Sequence, residues 1–231
     1  MTAQPVRAIL FDLDGVLTDT AELHFQSWLR LAQELRIPFD RERNHALRGL
    51  GRRESLAVLL GSRAAEFSES QQVDFAARKN ADYLERVARM TPADLLPGAR
   101  ELVAAARRAG FRAAVASSSR NAHVVLERLG IASQFDAIVD GNDAPRSKPD
   151  PQVFLLAAQR VKALPHNCVV IEDAESGVAA ALAAGMRVVA VGVAAQLAPD
   201  AHLRCDSLLE LAPAALTALL DSAAVGGVSG A

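Results

Sequence analysis

Five short apolar runs, at residues 6–11, 111–117, 135–139, 167–171 and 186–191, constrain the fold of this chain more than any other feature. They are almost continuously apolar rather than alternating, which is the pattern of parallel strands covered on both faces. Between most of them lie Ala-, Leu- and Arg-rich helical stretches that stop at glycine: 99–109 before Gly110, 122–129 before Gly130 and 174–184 before Gly185. Glycine just past a helix end is the expected C-terminal cap. Strand, helix, glycine, strand therefore recurs, and the repeat predicts an α/β chain with a doubly wound, Rossmann-like parallel sheet.

The repeat is interrupted once. From about 20 to 90 the pattern is helical throughout, with Phe25, Trp28, Leu29, Ala32 and Leu35 forming one apolar stripe and 75–87 reading as another helix. That is too long for a single crossover helix, so it is read as an inserted small helical cap. Thr91-Pro92 and Leu96-Pro97-Gly98 mark the return to the sheet. The expected organisation is a core of 1–18 and 92–224, a cap of 19–91, and a small-residue tail, Val225-Gly-Gly-Val-Ser-Gly-Ala231.

Charge narrows the partners. Lys and Arg number 25 against 27 Asp and Glu, a net of -2, so no basic field attracts nucleic acid or an anionic membrane, and any phosphate must be bound locally. No stretch is long enough to span a bilayer. The first apolar run is broken by Asp12 and Asp14 before it can serve as a signal-peptide core, so the mature chain is expected to begin near Met1. Cys168 and Cys205 lack metal-ligand spacing, and Cys168 reads as a buried strand thiol rather than a redox group, which points to a reducing cytoplasm. Charge near zero leaves oligomerisation open, and a monomer is expected.

Chemistry is expected beyond the carboxyl ends of the strands. The first strand ends in Phe11-Asp12-Leu13-Asp14-Gly15. Alternate residues of an extended chain point the same way, so Asp12 and Asp14 face one place while Gly15 allows a sharp turn. Carboxylates that close need a cation or a shared proton. Glu172-Asp173 after the fourth run could complete an all-oxygen Mg²⁺ site. The competing reading, that such acids only cap turns and helix starts, suits an isolated Asp-x-Asp better than two acidic pairs after two buried strands. Ser117-Ser118-Ser119-Arg120-Asn121 follows the second run just before a helix, where hydroxyls and amides form a phosphate-sized anion site or ordinary caps. Lys148 sits in Ser147-Lys148-Pro149-Asp150 before the next helix, although a lone lysine is usually solvated surface. All four signals fall in order on the same edge.

These residues resemble the haloacid dehalogenase superfamily of phosphotransferases, whose four motifs are matched by Asp12-x-Asp14, Ser117, Lys148 and Glu172-Asp173, over essentially the whole chain. Within it the chain is similar to the mutases that interconvert β-D-glucose 1-phosphate and glucose 6-phosphate. The supporting strings are Phe11 through Glu22 with His24 and Trp28, Arg48-Gly49 with Arg52, Arg78-Lys79-Asn80, and Ser147-Lys148-Pro149.

The resemblance implies that Asp12 is the nucleophile that becomes an aspartyl phosphate, and that Asp14 is the general acid and base, its backbone carbonyl helping to hold Mg²⁺. Asp173 would ligate the metal and Glu172 support it. Lys148 and the metal would neutralise the transferring phosphoryl oxygens, with Ser117 and the Ser118 backbone holding that group. Arg52, Ser119 and Asn121 match the second phosphate site, Gly49 and Lys79 the sugar-facing cap, and Thr20 and His24 the hinge. β-Glucose 1,6-bisphosphate is the implied intermediate, and small sugar phosphates are the implied partners. The sequence departs from the pattern at Ser118, where alanine is expected, at Arg120, where lysine is expected, and at Gly51-Arg52-Arg53, which replaces a serine-containing stretch. A sugar-phosphate phosphatase fits the four core motifs equally. A non-catalytic receiver module shares the acidic pocket, the aspartate and the lysine but is shorter and lacks a cap.

Overall fold

The computed structural model describes residues 5–47 and 50–225. Strand β1 (Ala8–Phe11) enters a helical excursion made of α1 (Ala21–Glu34), α2 (Arg41–His45), α3 (Arg52–Leu60) and α4 (Glu69–Val87). The chain then returns through α5 (Ala99–Arg108), β2 (Arg112–Ala116), α6 (Ala122–Arg128), β3 (Ala137–Val139) and α7 (Gln152–Arg160). It closes with β4 (Cys168–Glu172), α8 (Glu175–Ala183), β5 (Arg187–Val191), α9 (Val193–Leu197), β6 (Leu203–Cys205) and α10 (Pro213–Val225). The sheet is parallel at every pairing, in the order β3-β2-β1-β4-β5-β6.

Each face of the sheet buries its own half of the central strands. Ile9, Phe11, Val115 and Ile171 join the cluster covered by α5, α6 and α10, whereas Ala8, Leu10, Ala114 and Val170 join the one under α7 and α8. This two-sided burial is why the strands read as unbroken apolar runs. A third cluster, with Trp28, Leu31, Leu56, Leu59 and Phe75, lies among the helices between β1 and β2. On α1 the buried stripe runs through Phe25, Trp28, Leu31 and Ala32, so Leu31 takes the place expected for Leu29.

The five expected strands are present, each trimmed by one to two residues except at Glu172, which the ladder retains through its pairing with Ala190. A sixth strand, β6, was not anticipated, because a three-residue edge strand with exposed Arg204 carries no pattern above noise. Helix α10 runs through Val225, where a tail was expected to start, and 226–231 lie outside the described residues, as do Arg48 and Gly49. Chain progress reverses between β1 and β4, and such a switch point opens a crevice at the strand ends. Asp12 leaves β1 there, and Glu172 ends β4 beside it.

Candidate active site

Register sets the site. Phe11 pairs with Val115 on one side and Ile171 on the other, so Asp12, the segment after Ala116, and Glu172 emerge at one level. Asp12 continues the ladder by donating its amide to the Ile171 carbonyl over 3.0 Å, and Ser117 does the same to Val139 over 3.0 Å. Gly15 turns the chain at φ 90°, and a Cβ there would lie 2.1 Å from Asp173 Oδ2. Only glycine combines that dihedral with that approach. Gly177 plays a similar part inside α8, since a Cβ would fall 1.9 Å from Glu172 Oε1.

Lys148 is the hub. Its buried ammonium donates to Asp12 Oδ1 at 2.5 Å, to Glu172 Oε1, and to the Ala116 carbonyl at 3.3 Å, with the Phe154 ring 4.8 Å away. Burial alone would strip the proton, but the two facing carboxylates hold it well above the ordinary lysine value. Burial drives Asp12 upward, Lys148 opposes this, and the charges of Glu172, Asp14 and Asp173 add to the upward push. Carboxylate oxygens of Asp12, Glu172 and Asp173 lie within 4.8 Å of one another. Hard oxygen donors so spaced fit Mg²⁺. Glu172 also accepts the Ala174 amide at 2.9 Å, so its carboxylate is held from two directions. The Asp14 carboxylate is not in this triad.

Asp14 faces the cavity instead. Its Oδ1 is buried without a hydrogen-bond partner among the described residues, as are Thr20 Oγ1 and Tyr83 OH. Burial pushes the Asp14 carboxyl up to about 6, against the pull of Lys148 and then Lys79. A carboxyl poised there can both take and return a proton near neutrality.

Helix α4 buries Phe75, Lys79, Asp82, Tyr83 and Val87 on one face, so it packs Phe75 among the inserted helices and Tyr83 and Val87 against the cluster on the sheet, with the Lys79 ammonium between them. Lys79 donates to His24 Nδ1 at 2.7 Å and sits 4.8 Å from the rings of Trp28 and Tyr83. Burial, reinforced by the Arg52 charge, pushes Lys79 down to about 7. His24 is held well below its usual range by burial and by Lys79, which keeps Nδ1 an acceptor, and its ring stacks on Tyr83 at 4.1 Å.

One cavity joins this machinery to a second cationic cluster. It is lined by Asp12, Asp14, Lys148 and Asp173, and also by Lys79, Arg52, Ser119 and Arg120. Arg52 opens α3, half-buried, and its proton is loosened first by burial and then by Arg120. Two guanidiniums sharing a pocket wall make a site for a polyanion. Of the residues expected around phosphate in the loop after β2, Ser118, Ser119 and Asn121 line the cavity and Ser117 does not. Ser117 is buried and accepts the Ser119 amide at 3.0 Å, so Ser118 and Ser119 line the cavity rather than Ser117. The Asn121 side-chain amide donates to Asn80 Oδ1 at 2.9 Å, bridging α6 to α4. Gly49 lies outside the described residues. Sequence reasoning missed Arg120 as a partner of Arg52. Its place in the loop after β2 was the available signal.

Comparison with known proteins agrees with this geometry. The model of the haloacid dehalogenase-like hydrolases matches residues 6–185. The chain is 43% identical over 189 residues to a β-phosphoglucomutase of Bacillus subtilis, covering 81% of this chain and 84% of that protein. It is 32% identical over 183 residues to a phosphorylated-carbohydrates phosphatase of Thermotoga maritima, covering 78% and 82%. The crystal structure of a β-phosphoglucomutase from Clostridium difficile superposes with a TM-score of 0.91 at 36% identity, covering 95% of this chain and 99% of that one.

Proposed function

The chain belongs to the haloacid dehalogenase-like hydrolase family, and from that premise we propose that it is a Mg²⁺-dependent phosphomutase interconverting β-D-glucose 1-phosphate and glucose 6-phosphate. One observation carries the choice: a single cavity is lined both by the Asp12–Lys148–Asp173 cluster and by the Arg52–Arg120 pair. A hydrolase of monophosphates needs the first cluster only. A mutase must hold one phosphate while it transfers the other.

In this reading Asp12 is the nucleophile. The carboxylate oxygen attacks phosphorus, the bond from phosphorus to the sugar oxygen breaks, and an aspartyl phosphate forms. Asp14 takes the proton from the accepting sugar hydroxyl as the phosphoryl group leaves Asp12, and returns it to the departing oxygen in the second half-reaction. β-Glucose 1,6-bisphosphate is the intermediate that turns over between the halves. Lys148 neutralises phosphoryl oxygens, and the Ser118 and Ser119 segment at the start of α6 binds them. Asp12, Asp173 and the Asp14 carbonyl would hold Mg²⁺, with Glu172 orienting the set. When bound, the ion supplies positive charge to the transferring phosphoryl group. Residues 19–91 act as the cap, bringing Arg52 and Lys79 over the sugar and excluding water.

The deciding experiment is incubation with β-glucose 1-phosphate, Mg²⁺ and a trace of the bisphosphate. Accumulation of glucose 6-phosphate is expected. Stoichiometric inorganic phosphate would instead establish a phosphatase like the Thermotoga relative.

A further inference from the structure

Gly51 is the N-terminal cap residue of α3 and offers no side chain to the helix. Its amide leaves the helical excursion altogether and donates to Ser147 Oγ at 3.0 Å, 96 positions along the chain. The two ends of this hydrogen bond are placed tellingly. Arg52 follows Gly51 directly, and Lys148 follows Ser147. One contact thus joins the peptide neighbours of two cations that line the cavity, Lys148 on the Asp12 side and Arg52 on the Arg120 side. Glycine is needed for the approach: a Cβ at 51 would lie 2.7 Å from Ser147 Oγ and 2.5 Å from Glu54 Oε2. Glu54 can swing its flexible end aside, whereas the short Ser147 side chain cannot retreat without giving up the bond.

We propose that Gly51 and Ser147 form a latch that fixes Arg52 at a set distance from Lys148, making Ser147 a positioning residue for gripping a doubly phosphorylated sugar. The proposal rests on the phosphomutase reading of the site. Without the latch, the Lys148 centre keeps its own hydrogen bonds to Asp12 and Glu172, while Arg52 loses the tie that holds it in register. The defect therefore belongs to ligands that reach both cationic clusters and spares those that reach only one.

The test compares β-glucose 1,6-bisphosphate, whose two phosphates occupy both clusters whether the enzyme is a mutase or a phosphatase, with p-nitrophenyl phosphate, which has no second phosphate. Ser147→Ala is expected to raise KM for the bisphosphate about 5-fold, the worth of one neutral hydrogen bond. Its kcat/KM for p-nitrophenyl phosphate should stay within about 2-fold of wild type, inside the usual range of a neutral surface change. Gly51→Ala should show the same selective defect by collision. In the double variant the added methyl no longer meets Oγ, so the double should be no worse than Ser147→Ala alone. An unchanged bisphosphate KM in Ser147→Ala, an equal loss on both substrates, or defects that multiply in the double variant would each overturn the latch. If wild type releases phosphate and forms no glucose 6-phosphate, the mutase reading fails, while the ratio of the two substrates still judges the latch.

Discussion

An ammonium buried beside a guanidinium gives up its proton early, and Lys79, held to about 7, carries a consequence for stability. Its folded value lies below the unfolded 10.5, so between those limits the unfolded chain binds a proton the folded chain has released, and stability rises with pH. Lys79, Lys148 and Lys162 are the only lysines among 25 basic residues. Asp12, raised by burial, works against the gain with or without Lys79, while His24 and His202, both lowered, act below the ordinary 6.5, and the buried thiols, Cys168 pushed up to about 12 and Cys205 to about 11, oppose it from about 9.0 upward. Urea unfolding should therefore show wild type gaining about 2 kcal/mol more than Lys79→Met between pH 7 and 9. A parallel rise in both proteins would place the titration elsewhere. Asp12→Asn tests the nucleophile at the same scale: sugar-phosphate turnover should fall at least about 10³-fold with no phosphoenzyme trapped. Retention of wild-type turnover would remove Asp12 from that role.

At the scale of elements, glycines set how closely helices approach the strand ends. Gly177→Ala pushes a methyl into the Glu172 carboxylate, so more Mg²⁺ should be needed for half-maximal activity, with stability down by about 1–3 kcal/mol. Gly185 is the contrast. It follows α8 at φ 71° with open space around its missing Cβ, so Gly185→Ala should cost about 1 kcal/mol of backbone strain and leave Mg²⁺ dependence untouched. Thermal melts beside Mg²⁺ titrations separate the two, and an equal metal effect from both would defeat the argument. The same elements show what a sequence discloses. The strands were legible because burial on both faces leaves a continuous apolar run, Asp12 and Glu172-Asp173 were legible because they lie at the ends of such strands, and Lys148 was legible from the Ser147-Lys148-Pro149 string ahead of α7. Arg52 sharing a cavity with Arg120, Lys79 donating to His24, and Asn121 donating to Asn80 were not. Each joins segments far apart in the chain, through the packing of α1 on α4 or of the inserted helices on the segment after β2. Strand β6 escaped because three residues at an edge, one of them exposed Arg204, carry too little periodicity.

Across the whole molecule, the fold gathers like charges at one place. β1 and β4 are neighbours at the switch point, and their ends bring Asp12, Glu172 and Asp173 into one cluster, with Lys148 paired to Asp12 and Glu172. Apolar clusters on both sheet faces and among the helices hold the chain together without help from this cluster, so the protein should remain folded when chelated. Mg²⁺ that binds the folded state alone must then stabilise it by mass action, about 2.7 kcal/mol at 100 times the dissociation constant. For a chain of this length that is a rise of roughly 5–10 °C in Tm. Chelated protein is expected to melt cooperatively, to shift upward on adding Mg²⁺, and to lose most of that shift in Asp173→Asn, while Mg²⁺ should not move the Tm of an unrelated acidic protein. A shift that survives intact in Asp173→Asn would mean that the ion binds away from the β1–β4 crevice.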